Sequence, residues 1–229
     1  MDQKYPIENF RNKSIIISED QFISPNFISI SQKHSPYIEK IIVTEGFIKD
    51  RIENLAKKIA KEYENENVCF LSILKGASVF ATHLSQKLYE VIKYDESNKI
   101  KFYFEYFQMS SYVNTQTTGN VNFSTDLQVL ERLRNKNVII VEDINDSGNS
   151  MDRLLKLLKE NYELKSLKTC FLFQKMNTKN LRLNWNVDYL GFLVPDVFLI
   201  GFGIDYNEEF RDLNHLCMIN QNGVETFKQ

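Results

Sequence analysis

Apolar residues recur along the chain in two rhythms. Val138 to Val141 form an unbroken β-branched run, which suits a strand buried on both faces of a parallel sheet. Val68 to Leu74 and Leu167 to Phe173 are apolar runs of strand length, and residues 100–107 read as an aromatic strand. Tyr189 to Val194 and Val197 to Gly201 predict two short strands around Pro195, and Ser14–Ile17 a further one. Between them the rhythm becomes helical. Ile48, Ile52, Leu55 and Ile59 follow Thr44, a reasonable N-cap, and predict a helix to about Asn65. Val79, Phe80, Leu84 and Leu88 predict a second helix, and Met151, Leu154, Leu155 and Leu158 a third. Strands alternating with helices predict an α/β, doubly wound, mainly parallel sheet.

The turns between these elements carry the chemistry. Val141 is followed by Glu142 and Asp143, then by Asp146, Ser147, Gly148, Asn149 and Ser150. A Ser- and Gly-rich turn leading into a helix aims free N–H groups and a positive dipole end at an anion. Gly148 can take a positive φ there. The acids just before it repel phosphate, but they can accept hydrogen bonds from a vicinal diol or hold a divalent metal. Such a strand end is where doubly wound folds bind ligands. Acid pair and phosphate cradle together suggest a sugar bearing both hydroxyls and a phosphate. A plain strand–helix turn with acidic caps is the bland alternative.

Composition narrows the field. The chain has 229 residues and a net charge of −2, enough to bury a real core and too balanced to suggest nucleic-acid or membrane-surface binding. No apolar run approaches about 18 residues, and the first residues lack a signal-peptide apolar region. Cys69, Cys170 and Cys217 lie far apart in apolar segments and read as reduced core thiols of a cytoplasmic protein. Sequons at Asn12, Asn122 and Asn145 are discounted, because a glycan on the last would block the phosphate loop.

The stretch from Asn137 to Met151 resembles the ribose-phosphate signature of the type I phosphoribosyltransferases. With the segments below, the chain resembles the hypoxanthine-guanine phosphoribosyltransferases over about residues 40–222. No Gly-Lys-Ser/Thr follows, so the loop is not a Walker P-loop. The resemblance implies a 5′-phosphate held by Asp146, Ser147, Gly148, Asn149 and Ser150, and ribose hydroxyls met by Glu142 and Asp143. Asp146 would also act as general base at the purine N7.

Other blocks extend the likeness. Lys75-Gly76-Ala77, after the strand ending at Leu74, resembles the family's pyrophosphate loop, in which the Lys-Gly peptide can be cis. Ser110 to Asn122 is a long polar stretch that resembles the mobile catalytic loop, with Ser111 and Tyr112 closing over the reaction centre to exclude water. Lys175 would face the purine 6-oxo group; an ammonium only donates, so it suits a keto oxygen and not the amino group of adenine. Phe198 would lie over the purine face and Leu199 would line the pocket. In the block Gly203 to His215, Asp205 would hold a second Mg²⁺ near the base, and Arg211 would bind pyrophosphate. Glu142 and Asp143 are the other metal-ligand candidates. Asp212 reads as an orienting residue and His215 as structural.

The expected organisation is an N-terminal extension over residues 1–36 and one phosphoribosyltransferase domain over 37–229. Its core would cover about 45–174, and a base-binding hood mainly 175–229, with help from the N-terminal segment. The resemblance implies transfer of the phosphoribosyl group from phosphoribosyl pyrophosphate to a 6-oxopurine, with two Mg²⁺ ions, in a homodimer or homotetramer. A non-catalytic regulatory protein that senses phosphoribosyl pyrophosphate is the alternative. A transferase using xanthine or a pyrimidine is a third reading.

Overall fold

A computed structural model of the chain describes residues 13–95, 97–109, 128–177, 179–180, 185 and 187–228. The elements run in the order β1 (Ile15–Ile16), β2 (Ile38–Val43), α1 (Glu45–Glu62), β3 (Asn67–Leu74), α2 (Ala77–Tyr94), β4 (Lys101–Gln108) and α3 (Gln128–Glu131). They continue with β5 (Asn137–Asn145), α4 (Asn149–Asn161), β6 (Ser166–Lys175), β7 (Tyr189–Val194), β8 (Leu199–Ile200), β9 (Leu216–Ile219) and α5 (Gln221–Thr226).

Six strands pair in the order β1-β7-β6-β5-β3-β4, and every pairing is parallel. The chain goes from β3 outward to β4, then returns to the other side of β3 for β5. The strand order therefore reverses between β3 and β5. The β-branched run of β5 is buried on both sides, as its composition predicts. Ile139 and Val141 pack with Ile48, Ile52, Leu55 and Ile59 of α1 and Phe80, Leu84 and Leu88 of α2. Val138 and Ile140 pack with Met151, Leu154, Leu155 and Leu158 of α4 on the opposite face. That period-2 alternation places helices on both faces, the doubly wound arrangement.

A second, three-stranded sheet has the order β2-β9-β8 and is antiparallel. Ile38, Ile41, Ile200, Phe210, Leu213, Cys217 and Ile219 form its own apolar cluster. This is the hood, assembled from N- and C-terminal segments.

Several boundaries differ from the sequence reading. β1, in the N-terminal extension, pairs with β7, and β7 joins the six-stranded sheet through β6, so the core reaches beyond 45–174 at both ends. Arg51 reinforces that join. Its guanidinium donates to the carbonyls of Gly191 at 3.0 Å, Leu190 at 2.7 Å and Lys13 at 2.7 Å. β5 runs on to Asn145, so Glu142 and Asp143 lie in the strand and not in a turn. Partners in β6 extend that ladder as far as Asn145 opposite Gln174.

The amino ends of the strands carry a polar network of their own. Lys168 of β6 pairs with Glu62 at the end of α1, and the Tyr189 hydroxyl donates to the same carboxylate. Beside it, Lys165 meets Glu66 at 2.7 Å, and the Asn137 amide donates to the Asn67 carbonyl at 3.0 Å.

Candidate active site

The strand order reverses between β3 and β5, and in such sheets ligands bind beyond the carboxyl ends at that reversal. β3 ends in Leu74-Lys75-Gly76 and β5 in the acid pair and Asp146, so both anticipated anion loops meet there. Gly148 has φ 73° and precedes α4 with no side chain capping it. Gly76 likewise precedes α2 without a side-chain cap. Two helix N-termini thus keep first-turn N–H groups uncapped by side chains of the described residues, a favourable setting for phosphate oxygens. The start of α1 is different: the Glu45 N–H donates to His215 Nδ1 at 2.8 Å. That gives His215 the structural role expected of it.

The non-proline cis peptide joins Leu74 to Lys75, one bond before the expected Lys75–Gly76 link. Gly76 has a different role, set by space. A Cβ there would lie 2.0 Å from Asp143 Oδ2, and a Cβ on Gly203 would lie 2.4 Å from the Gly76 carbonyl oxygen. Three segments far apart in sequence therefore meet at van der Waals contact. Asp143 is buried, and its Oδ1 accepts from the Ile144 N–H at 2.8 Å. Burial raises its carboxyl above the ordinary range, although Glu142, the Ile144 N–H and the charge of Arg211 pull the other way. Burial, then the neighbouring charge of Asp143, pushes Glu142 well above the usual carboxylate range. Two acids are thus crowded where a cation or a diol would relieve them.

Arg211 is aimed into this group. Its guanidinium donates to the Gly203 carbonyl at 2.9 Å and meets Asp205 at 2.9 Å and Glu208 at 3.4 Å. Lys75 meets the same Glu208 at 3.2 Å. Both cations anticipated for pyrophosphate therefore converge on one carboxylate. Asp205 is engaged on both oxygens, by Arg211 and by the Glu208 N–H at 2.9 Å. Asp212, the expected orienting residue, pairs with buried His34 at 2.9 Å and ties the N-terminal segment to this turn.

On the other flank, Lys175 Nζ lies 3.4 Å from Asp146 Oδ1 and 3.9 Å from Asp196. Lys175 is the last residue of β6 and does not follow the strand. Phe198 is 48 % exposed and stands edge-on to Tyr206, with ring centroids 5.2 Å apart. Leu199 departs from its expected place. It is 3 % exposed and packs into the main core, while Ile200, the next residue of β8, turns into the hood cluster on the other face. It lends the pocket no open side chain. Ser147 is partly exposed, and Asn149 and Ser150 are exposed at the first turn of α4. Ser111 and Tyr112 lie outside the described residues.

The comparisons with known proteins fit this geometry. A family model described as the phosphoribosyl transferase domain matches residues 41–207. The hypoxanthine-guanine phosphoribosyltransferase of Cricetulus griseus is 34 % identical over 219 residues, covering 95 % of this chain and 98 % of that protein. The chain belongs to the hypoxanthine-guanine phosphoribosyltransferase family. The hypoxanthine-guanine-xanthine phosphoribosyltransferase of Plasmodium falciparum (isolate K1 / Thailand) is 36 % identical, over 93 % of this chain and 91 % of that one. The crystal structure of the Schistosoma mansoni hypoxanthine-guanine phosphoribosyltransferase in complex with IMP superposes with a TM-score of 0.76. It is 26 % identical and covers 93 % of this chain and 98 % of that one.

Membership of this phosphoribosyltransferase family leaves two nearby residues unanticipated. Glu208, between Lys75 and Arg211, lies inside the block Gly203 to His215 but received no role from the resemblance. Asn180, buried against the Asp146 carbonyl, sits in a polar segment without periodicity. Only the three-dimensional approach of β5 and β6 reveals it.

Proposed function

We propose that this enzyme transfers the 5-phosphoribosyl group of phosphoribosyl pyrophosphate to N9 of a 6-oxopurine, releasing pyrophosphate, with Asp146 and Lys175 reading the base. The observation that carries this assignment is the 3.4 Å spacing of Lys175 Nζ and Asp146 Oδ1. N7 and O6 are neighbouring atoms on one edge of the purine. A donor and an acceptor at that spacing match O6 and N7–H together. Adenine offers an amino group instead, which Lys175 cannot satisfy.

Each remaining residue takes a role from its position. Ser147 to Ser150 and the first turn of α4 hold the 5′-phosphate, and Glu142 and Asp143 accept from the ribose hydroxyls. Lys75, the Gly76 turn and Arg211 receive pyrophosphate, with Glu208 giving way. Phe198 covers the purine face. Asp146 takes the N7 proton, which makes N9 the better nucleophile, and its charge matches the positive charge growing on the base. Ser111 and Tyr112 are assigned to closing the site against water.

The donor chemistry suits Mg²⁺. Among the described residues no three His, Cys, Asp or Glu side chains form a cage, and Mg²⁺ is commonly held by one or two carboxylates plus substrate phosphates. Glu142 and Asp143 would hold one ion; Asp205 would hold a second through the lone pairs left by Arg211 on one oxygen and the Glu208 N–H on the other. Bound with pyrophosphate, the metal would neutralise the leaving group. Buried, free cysteines suit a reducing cytoplasm. No helix among the described residues is long and apolar enough to cross a membrane. A homodimer or homotetramer follows from the family likeness, and sedimentation would read it.

The test is a spectrophotometric assay with Mg²⁺ and phosphoribosyl pyrophosphate, offering hypoxanthine, guanine, xanthine and adenine separately. Turnover of hypoxanthine and guanine but not adenine is expected, and the xanthine arm fixes the breadth of the pocket. Silence with all four, alongside tight binding of phosphoribosyl pyrophosphate, would replace this reading with the regulatory one.

A further inference from the structure

The β5–β6 ladder ends at Asn145 opposite Gln174, one residue short of both Asp146 and Lys175. Their ion pair, at 3.4 Å, does not hold them alone: Lys175 is largely buried, but the Asp146 side chain is 62 % exposed, and water on that side screens the pair. On its other side Lys175 still pairs with Val194 of β7, but towards Asp146 a side-chain amide takes over where the β5–β6 ladder stops. Asn180 is 8 % exposed. Its Nδ2 lies 2.8 Å from the Lys175 carbonyl oxygen, 3.0 Å from that of Asp146 and 3.3 Å from that of Asn145. A primary amide has two protons, so the nearer two carbonyls, Lys175 and Asp146, take the main bonds.

The surrounding groups fix Asn180 in turn. Its Oδ1 accepts from Asn145 Nδ2 at 3.2 Å, and its N–H donates to Asn177 Oδ1 at 3.0 Å. Asn177 Nδ2 returns to the Asp146 carbonyl at 2.7 Å. Asn145 also reaches Gln174 at 3.4 Å. The carbonyl of Asp146 therefore receives two amides, both from the segment just after Lys175. Among the described residues no carboxylate or ammonium side chain bonds to these amides, so the contacts are those of a neutral network. It is a backbone clamp, and its two jaws carry the groups that face N7 and O6.

We propose that Asn180 is a positioning residue for Asp146, setting the spacing between the Asp146 carboxylate and the Lys175 ammonium through their main-chain carbonyls. The proposal rests on the assignment of Asp146 and Lys175 to the purine edge. Its consequence is kinetic. A donor and acceptor that must meet adjacent purine atoms tolerate little drift, and a shift of about 1 Å can cost about a hundredfold in rate.

A double-mutant cycle tests it, using the full-length chain, phosphoribosyl pyrophosphate and hypoxanthine. Asp146→Asn alone should lower kcat by about a hundredfold. Asn180→Ala alone should lower kcat by about tenfold while KM for phosphoribosyl pyrophosphate changes by less than about threefold. In the Asp146→Asn background, Asn180→Ala should cost less than about twofold, because the residue it positions is already disabled. Equal losses in both backgrounds, or full turnover in the single Asn180→Ala variant, would overturn the positioning role while leaving Asp146 in place. Wild-type turnover in Asp146→Asn would instead remove Asp146 from the mechanism, and the clamp's function with it. Should Asn180→Ala fail to fold, Asn177→Ala carries the cycle, since its partly exposed amide serves the same carbonyl. Its smaller loss must likewise vanish in the Asp146→Asn background, and persistence there counts against the proposal.

Discussion

Asp143 Oδ2 occupies the space in which a side chain on Gly76 would begin, 2.0 Å from the ideal Cβ position. The loop after β3 and the acid pair of β5 are thus fitted to each other at the atom scale, across the point where the sheet reverses. Asp143 cannot simply swing away, because it is buried and bound to the Ile144 N–H. Gly76→Ala should therefore raise KM for phosphoribosyl pyrophosphate by about tenfold or more, through displacement of Asp143, the acid proposed to meet the ribose hydroxyls. Overpacking of about 1–3 kcal/mol should also lower Tm, by about 2–4 °C for each kcal/mol in a chain of this length. Steady-state kinetics and a thermal melt check both.

Glu142 offers a test with a defined sign. Burial and the charge of Asp143 raise its carboxyl well above the ordinary range. Below the unfolded-chain value of about 4.3 the group is protonated in both states, and stability from proton retention is fully present. As pH rises through the folded-state value that stability is lost. Glu142→Gln should therefore raise the neutral-pH Tm of the metal-free, substrate-free protein, and the gain should disappear near pH 4. The same variant should bind phosphoribosyl pyrophosphate more weakly. A lower Tm at neutral pH would contradict the crowding of the two acids.

Glu208 shares its carboxylate between Lys75 at 3.2 Å and Arg211 at 3.4 Å, and Lys75 holds its carboxyl below the usual range. If Lys75 and Arg211 receive pyrophosphate as proposed, it has to displace Glu208. An exposed pair contributes little, so Glu208→Gln should lower KM for phosphoribosyl pyrophosphate by no more than about fivefold. Isothermal titration of the nucleotide precursor would measure this directly, and weaker binding would mean that Glu208 helps the cations instead of competing for them.

Phe198 presents a half-exposed ring braced edge-on by Tyr206. Stacking of a base on an aromatic side chain contributes about 1–3 kcal/mol. Phe198→Ala should raise KM for the purine about tenfold while moving Tm little, since so much of the ring already faces water. A large drop in Tm with unchanged KM would return Phe198 to the core.

The parts of this site that announce themselves in the sequence are those built from consecutive residues. Val138 to Val141 could be read as a doubly buried strand because β-branched residues stand without alternation, and Gly148 as a left-handed turn because it opens a helical rhythm. The hood was foreseen as a lobe through the family likeness, whereas its strand pairing was not: β2 and β9 are separated by most of the chain, and only packing joins them. Leu199 was misplaced because it is the first residue of β8 and packs into the main core, while Phe198 stands just before the strand. The cis bond was displaced by one residue, a detail that side-chain patterns do not record. Asn180 and Glu208 act through contacts with distant segments, and neither spacing nor composition carries that information.

The six-stranded sheet keeps two polar clusters at opposite ends, with Glu62, Lys168 and Tyr189 at the amino ends and the anion loops at the carboxyl ends. An apolar interior separates them, and effects at distant sites with no shared partners tend to add. Changes at the Glu62–Lys168 end are therefore expected to alter heat tolerance with little effect on which base is accepted. A lineage, or an engineer, can rework the Glu62–Lys168 end for a hotter or more saline setting without retuning which base is accepted.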